Sequence, residues 1–390
     1  MSSSTSSSSH DGNALDATPV AAWATRRFVL RALLWPTVAV LVLELACRVF
    51  SPIYLENPDP RTIEVEAPGY RALRPGASIP ANVGGKALTA QVNADGFRDV
   101  PFPAETPCLV VGIGNSFVAN WAIEQADFWT TQLQRRLTRG PEPQRCAVRS
   151  VGFQGWSLPE IDAALADRVL PRHPKLVVLA FNNLTMWPAT ALDPKRNDEA
   201  IARWRARPHP TPEPVPQAEP TALGRVIGLY NQLEAHSALL GTLKVHAPLL
   251  PMTVGLSQLA VSAIYRDAEF AARKAPTLAS LEAIRARVTA AGAQFVLLVV
   301  PTLPETDEDV YDLMLASFGG SERDVNIHRP AATLAAWAQE KGVTFVDLTP
   351  VLHGHRPRAM GYVDHHWNEV GNAVAAEELE PVVRRLVPER

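Results

Sequence analysis

Cysteine is scarce in this chain. Its 390 residues hold three, Cys47, Cys108 and Cys146. That excludes a disulfide-stapled scaffold, and no Cys-x-x-Cys pair suggests a zinc site. A dominant charge sign is also missing. The 37 Lys and Arg against 40 Asp and Glu leave a net −3, so nothing in the electrostatics points to nucleic acid. No internal repeat is visible, which argues against a solenoid or propeller. The first apolar run lacks a small-x-small cleavage pattern. Ahead of Cys47 the outer small position is Glu44, which disfavours signal cleavage and a lipoprotein site alike.

What is present begins with residues 1–25, rich in Ser, Thr, Asp and Ala. They bury no core and are expected to form a disordered cytoplasmic tail. Arg26, Arg27 and Arg31 then introduce the apolar stretch 28–50, which as a helix spans roughly 34 Å, enough to cross a bilayer. Arg31 and Arg48 can snorkel to opposite interfaces, with Glu44 near the outer one. Basic residues ahead of the span predict a single pass in a bacterial inner membrane, with everything after it facing the periplasm. Arg26-Arg27 also fits twin-arginine export. A buried helix of a soluble domain is the plain alternative.

Residues 51–105 carry Pro and Gly and few periodic runs, and read as an extended lead-in across the next domain. Within them, Asn93-Ala94-Asp95-Gly96-Phe97-Arg98 signals a turn. From 106 to 390 apolar strands alternate with helices. Strands are expected at 108–113, 147–151, 175–181, 294–300 and 344–348, and helices at 128–137, 158–169, 278–291, 331–341 and 369–386. Continuous apolar strands separated by helices predict an α/β fold, a parallel sheet covered on both faces. An insertion occupies about 185–275. Its stretch 207–220 has Pro at nearly every second position and should be extended. Its later part, 223–259, is apolar and helix-compatible, and either caps the active site or decorates the surface.

Three short pieces carry chemistry. Gly114-Asn115-Ser116-Phe117 ends the first strand and exposes a serine. Ala180-Phe181-Asn182-Asn183 ends the third with amides. Asp364-His365-His366-Trp367-Asn368 supplies imidazole and carboxylate near the C-terminus. A serine hydroxyl needs a base. His366 is the best base, and Asp364, two residues earlier in an extended loop, lies on the same side and can orient it. His365 points the other way. The backbone N–H of Ser116, that of Gly155 just past the second strand, and the Asn182 amide can donate to an oxyanion. Singly, each residue has an ordinary structural role as a helix cap, turn or strand end. Their joint appearance after successive strands points to acyl transfer.

These pieces resemble the SGNH/GDSL hydrolase superfamily, especially its membrane-anchored bacterial branch. The likeness covers roughly residues 40–390 and includes Glu44-Leu45-Ala46-Cys47-Arg48 and the turn at 93–98. It implies a three-layer, flavodoxin-like fold with five parallel strands. It implies Ser116 as nucleophile, Gly155 and Asn182 in the oxyanion hole, and Asp364 and His366 completing the site, with no cofactor and no metal. The Asp-x-His-Trp-Asn form looks like that of alginate acetylation proteins. Two positions depart from the family: its Gly-Asp-Ser is Gly114-Asn115-Ser116 here, and its Gly-x-Asn-Asp is Ala180-Phe181-Asn182-Asn183. Each loses a carboxylate and keeps an isosteric amide.

The expected function is an exported, anchored serine ester hydrolase acting on a small ester or acylated glycan. An O-acyltransferase would use the same site, and an inactive glycan-binding module would keep only the fold. A metal enzyme drawing on His353, His355, Asp364, His365 and His366 lacks a recognised ligand spacing. Cys108 and Cys146 open neighbouring strands. Export permits a disulfide, but adjacent parallel strands rarely give bridging geometry, so two buried thiols are expected.

Overall fold

The computed structural model describes residues 19–50, 64–83, 86–120, 123–139, 144–183, 186–207, 229, 233, 237–246, 262–317, 325–355 and 366–388. The expected tail over 1–18 and the proline-rich stretch after 207 lie outside these residues. Helix α1, Pro19–Phe50, starts earlier than the apolar run, so 19–25 are helical where a disordered tail is expected. Its stretch Arg31–Phe50 has mean hydropathy 1.9, long and apolar enough to cross a membrane.

The lead-in does more than cross a surface. It forms two antiparallel hairpins, β1 Glu64–Ala67 with β2 Tyr70–Leu73, and β3 Ser78–Val83 with β4 Lys86–Gln91. Tyr70, Leu73, Ile79 and Phe97 join the main hydrophobic core.

Five strands make the central sheet: β5 Cys108–Gly114, β6 Cys146–Gly152, β7 Leu176–Asn182, β8 Gln294–Val300 and β9 Thr344–Asp347. They pair in parallel in the order β6-β5-β7-β8-β9. In order of appearance that is 2-1-3-4-5, the flavodoxin-like arrangement. β5 and β7 are buried at every position, which is why they read as unbroken apolar runs.

Alternate side chains feed two layers. Val111, Ile113, Val177, Leu179, Leu297 and Val299 face helices α4 Leu158–Ala164, α7 Asp267–Ala290 and α10 Arg329–Lys341. Val110, Val178, Ala180, Val296, Leu298 and Val300 face α3 Trp129–Thr138 and α12 Glu369–Leu386. Between them in the chain lie α2 Ser116–Ala119, α5 Pro194–Arg205, α6 Ala238–His246, α8 Leu303–Thr306, α9 Glu308–Ser317 and α11 Thr349–Leu352.

One expectation fails outright. Cys108 and Cys146 form a disulfide. The strand register sets them directly opposite each other, with Cα atoms 4.5 Å apart. Direct pairing at the strand start supplies the approach that parallel neighbours usually lack.

Candidate active site

Ser116 opens the single-turn helix α2 straight off β5. The turn is tight because two strand ends have no side chain. A Cβ on Gly114 would meet Val118 Cγ2 at 2.7 Å, and one on Gly152 would meet Val118 Cβ at 2.7 Å and the Ala119 nitrogen at 2.8 Å. Asn115, buried, is the N-cap. Its Oδ1 accepts from the Phe117 N–H at 3.2 Å, so the amide keeps the cap acceptor that an aspartate would supply. Ser116 itself is partly exposed. Asn120, left-handed at φ 50°, ends the turn and returns its N–H to the Ser116 carbonyl.

The C-terminal piece meets this turn. The His366 ring packs on the Phe117 ring, with centroids 4.7 Å apart. Trp367, fully buried, donates its indole N–H to the Phe117 carbonyl at 2.8 Å and to Asn120 Oδ1 at 2.9 Å. Asn368 caps α12, its Oδ1 accepting from Val370 and Gly371. Trp and Asn thus hold the segment in place, while His366 remains partly exposed. Asp364 and His365 lie outside the described residues.

Strand register sets the height of the other two candidates. Gly114 pairs with Gly152 on one side and Ala180 on the other. Ser116 and Asn182 each lie two residues past that level, and Gly155 three past it. All therefore sit at the carboxyl ends of adjacent strands. Gly155 is exposed in a turn at φ +75°, a conformation that favours glycine. Asn182 is fully buried. Its amide donates to the Val300 carbonyl at 3.2 Å, which commits one of its two N–H groups to β8. Among the described residues no three His, Cys, Asp or Glu side chains group as metal ligands.

Residues 261–389 match the family model described as "SGNH hydrolase-like domain, acetyltransferase AlgX". This C-terminal third of the chain resembles an SGNH hydrolase-like domain. The matched range contains His366 but not Ser116, Gly155 or Asn182. No curated protein matches the chain. Among solved structures, the acetyl xylan esterase AlAXEase is similar at 13% identity, covering 70% of this chain and 99% of its own, with TM-score 0.37. A lipase/acylhydrolase from Enterococcus faecalis is similar at 13% identity, covering 73% and 99%, with TM-score 0.38. A catalytic mutant of the acetylxylan esterase Axe2 from Geobacillus stearothermophilus is similar at 12% identity, covering 74% and 98%, with TM-score 0.37.

Two supports of the candidate site escape the sequence reading. Arg98, buried, comes from the lead-in and donates to the carbonyls of Asn120 and Ile123, just past the serine turn, while its guanidinium covers the Phe128 ring at 4.9 Å. Burial lowers its pKa to about 10, so it stays cationic at neutral pH. Next to it, buried Asp99 accepts from the Ser150 N–H and hydroxyl, and burial raises its pKa.

Glu305 is the second. Its carboxylate accepts from Asn183 Nδ2 at 2.8 Å and from the Thr302 N–H at 2.6 Å. It is buried and lies beside Tyr265, whose hydroxyl pairs with Thr302 Oγ1 at 2.7 Å. Burial pushes the carboxyl up to about 7, against these hydrogen bonds. An Asp at 183 would face Glu305 with a second carboxylate, whereas the amide faces it with a donor. The local signal is a capping box, Thr302-x-x-Glu305.

Proposed function

We propose that this chain is a membrane-anchored serine enzyme acting on acyl esters outside the bacterial inner membrane. Ser116 Oγ attacks the ester carbonyl and gives its proton to His366, which Asp364 orients. The N–H groups of Ser116 and Gly155 and the side-chain amide of Asn182 receive the oxyanion. The collapsing intermediate expels the alcohol, protonated by His366, and leaves an acyl-serine. Water, deprotonated by the same imidazole, then releases the acid and restores Ser116.

The observation that carries this reading is the packing of the His366 ring on Phe117, the residue next to Ser116. It supports a nucleophile and base at one sheet rim although 250 positions part them. A fluorophosphonate probe is expected to label the purified full-length protein, and Ser116→Ala to abolish labelling. Undiminished labelling of that variant would remove Ser116 from the mechanism.

A second reading follows from the family description, which names an acetyltransferase. A glycan hydroxyl would then replace water in the second half-reaction, giving a new ester in place of free acid. Product analysis with an acetyl donor, with and without an oligosaccharide acceptor, separates the two: acetylated glycan marks the transferase and acetate alone marks the esterase.

A further inference from the structure

Glu44 is an acidic residue inside the apolar stretch Arg31–Phe50. A carboxylate in hydrocarbon is costly unless its oxygens are satisfied. Here they are. Arg48 Nε, one turn on, donates at 2.8 Å. The other donors come from the insertion: Ser237 Oγ at 2.8 Å, Ala238 N–H at 3.0 Å and Leu239 N–H at 2.9 Å. The Leu240 N–H goes to Ser237 Oγ at 3.1 Å. The first three N–H groups of α6, which no helical carbonyl can reach, therefore have partners, and two of those partners are oxygens of Glu44. The negative charge also sits at the positive end of the helix dipole.

Exposure along the span agrees. From residue 31 to 50, every side chain is exposed except Glu44, Ala46 and Cys47. Helix α6 packs on α1, and its first N–H groups meet Glu44 in that small shielded patch. Leu33, Leu34, Trp35, Val40 and Leu41, all more than half exposed, are left bare by the described residues. On α6, Ala238 is buried while Leu243 is 45% exposed.

We infer that α6 is a second membrane element, seated in the outer leaflet beside the anchor and locked to it by Glu44. The occupant of the exposed Leu243 side of α6 is lipid acyl chain, because the described residues leave the span it packs on otherwise bare. This rests on the anchor reading of α1. It adds that the anchor is retained, since the folded insertion draws its helix cap from it, and that the enzyme touches the bilayer at two points of its chain.

The test uses full-length protein, with Cys47→Ser, in nanodiscs of phosphatidylethanolamine and phosphatidylglycerol. Nitroxides are placed at Leu243→Cys and, as a reference, at Val40→Cys. At both sites collisions with dissolved oxygen should exceed those with a water-soluble nickel chelate. Adding Glu44→Ala should raise nickel collisions severalfold at 243 and leave 40 unchanged, and Ser237→Ala should do so more weakly. Nickel access at 243 in the otherwise unaltered protein, with 40 in lipid, overturns the inference alone. Nickel access at 40 overturns the anchor reading as well.

Discussion

Trp367 donates its indole N–H to the carbonyl of Phe117 at 2.8 Å, tying the residue after His366 to the residue after Ser116. The same N–H lies 2.9 Å from Asn120 Oδ1, so one buried donor holds both ends of the serine turn. Trp367→Phe keeps the apolar bulk and deletes that donor, leaving buried acceptors short of a partner. The expected cost is about 1–3 kcal/mol of stability, read from urea unfolding. Misplacing His366 should also lower kcat/KM on a chromogenic ester about 10- to 100-fold. Equal activity in the two proteins would show that the tether does not position the base.

Arg98 holds the far side of the same turn. Arg98→Met keeps the aliphatic stem over Phe128 and removes donors to two buried carbonyls, those of Asn120 and Ile123. The expected loss is about 3 kcal/mol. Arg98→Lys should fall between the two, because an ammonium lacks the planar fork that spans both oxygens. Denaturant midpoints of the three proteins test the order, and a lysine variant as stable as the original would contradict it.

Much of the sheet is legible in the sequence because burial on both faces writes itself as unbroken apolar residues. Strands β5, β7 and β8 can be read within a residue or two, and the pieces carrying Ser116 and Asn182 stand where those runs stop. What is not legible depends on partners far off in sequence. Pro276 sits inside helix Asp267–Ala290, and the pattern suggests only a helix begun after that proline. The lead-in strands are four to six residues long, too short to show a period. The capping box at Thr302 is readable, but nothing local says that the Glu305 carboxylate meets Asn183 from another strand. The disulfide turns on register, which apolar runs do not specify to the residue.

The Cys108–Cys146 bridge closes a loop with sequence separation 38. By loop entropy, such a crosslink stabilises by about 4 kcal/mol. Replacing both cysteines by alanine should lower stability by that order, and a reductant should shift the unfolding midpoint of the original protein but not of the variant. An unchanged midpoint under reductant strong enough to free both thiols would mean that the bridge contributes little.

Glu305 should make stability depend on pH near neutrality. Its carboxyl is raised to about 7 in the folded protein from 4.5, chiefly by burial. Between those values the folded state holds a proton that the unfolded chain has released, so stability declines as pH rises. The contribution is full below about 4.5 and is lost once pH passes about 7. The difference amounts to roughly 3 kcal/mol. Asp99 and Asp162, also raised by burial, add slopes of the same sign, so the comparison must be with a variant. Glu305→Gln keeps an oxygen for the Asn183 amide and does not titrate. Subtracting its unfolding free energy from that of the original protein across about pH 4 to 8 should leave a curve falling through this window. A flat difference would mean that Glu305 is ionised in the folded state at acidic pH, with the Asn183 and Thr302 donors outweighing its burial.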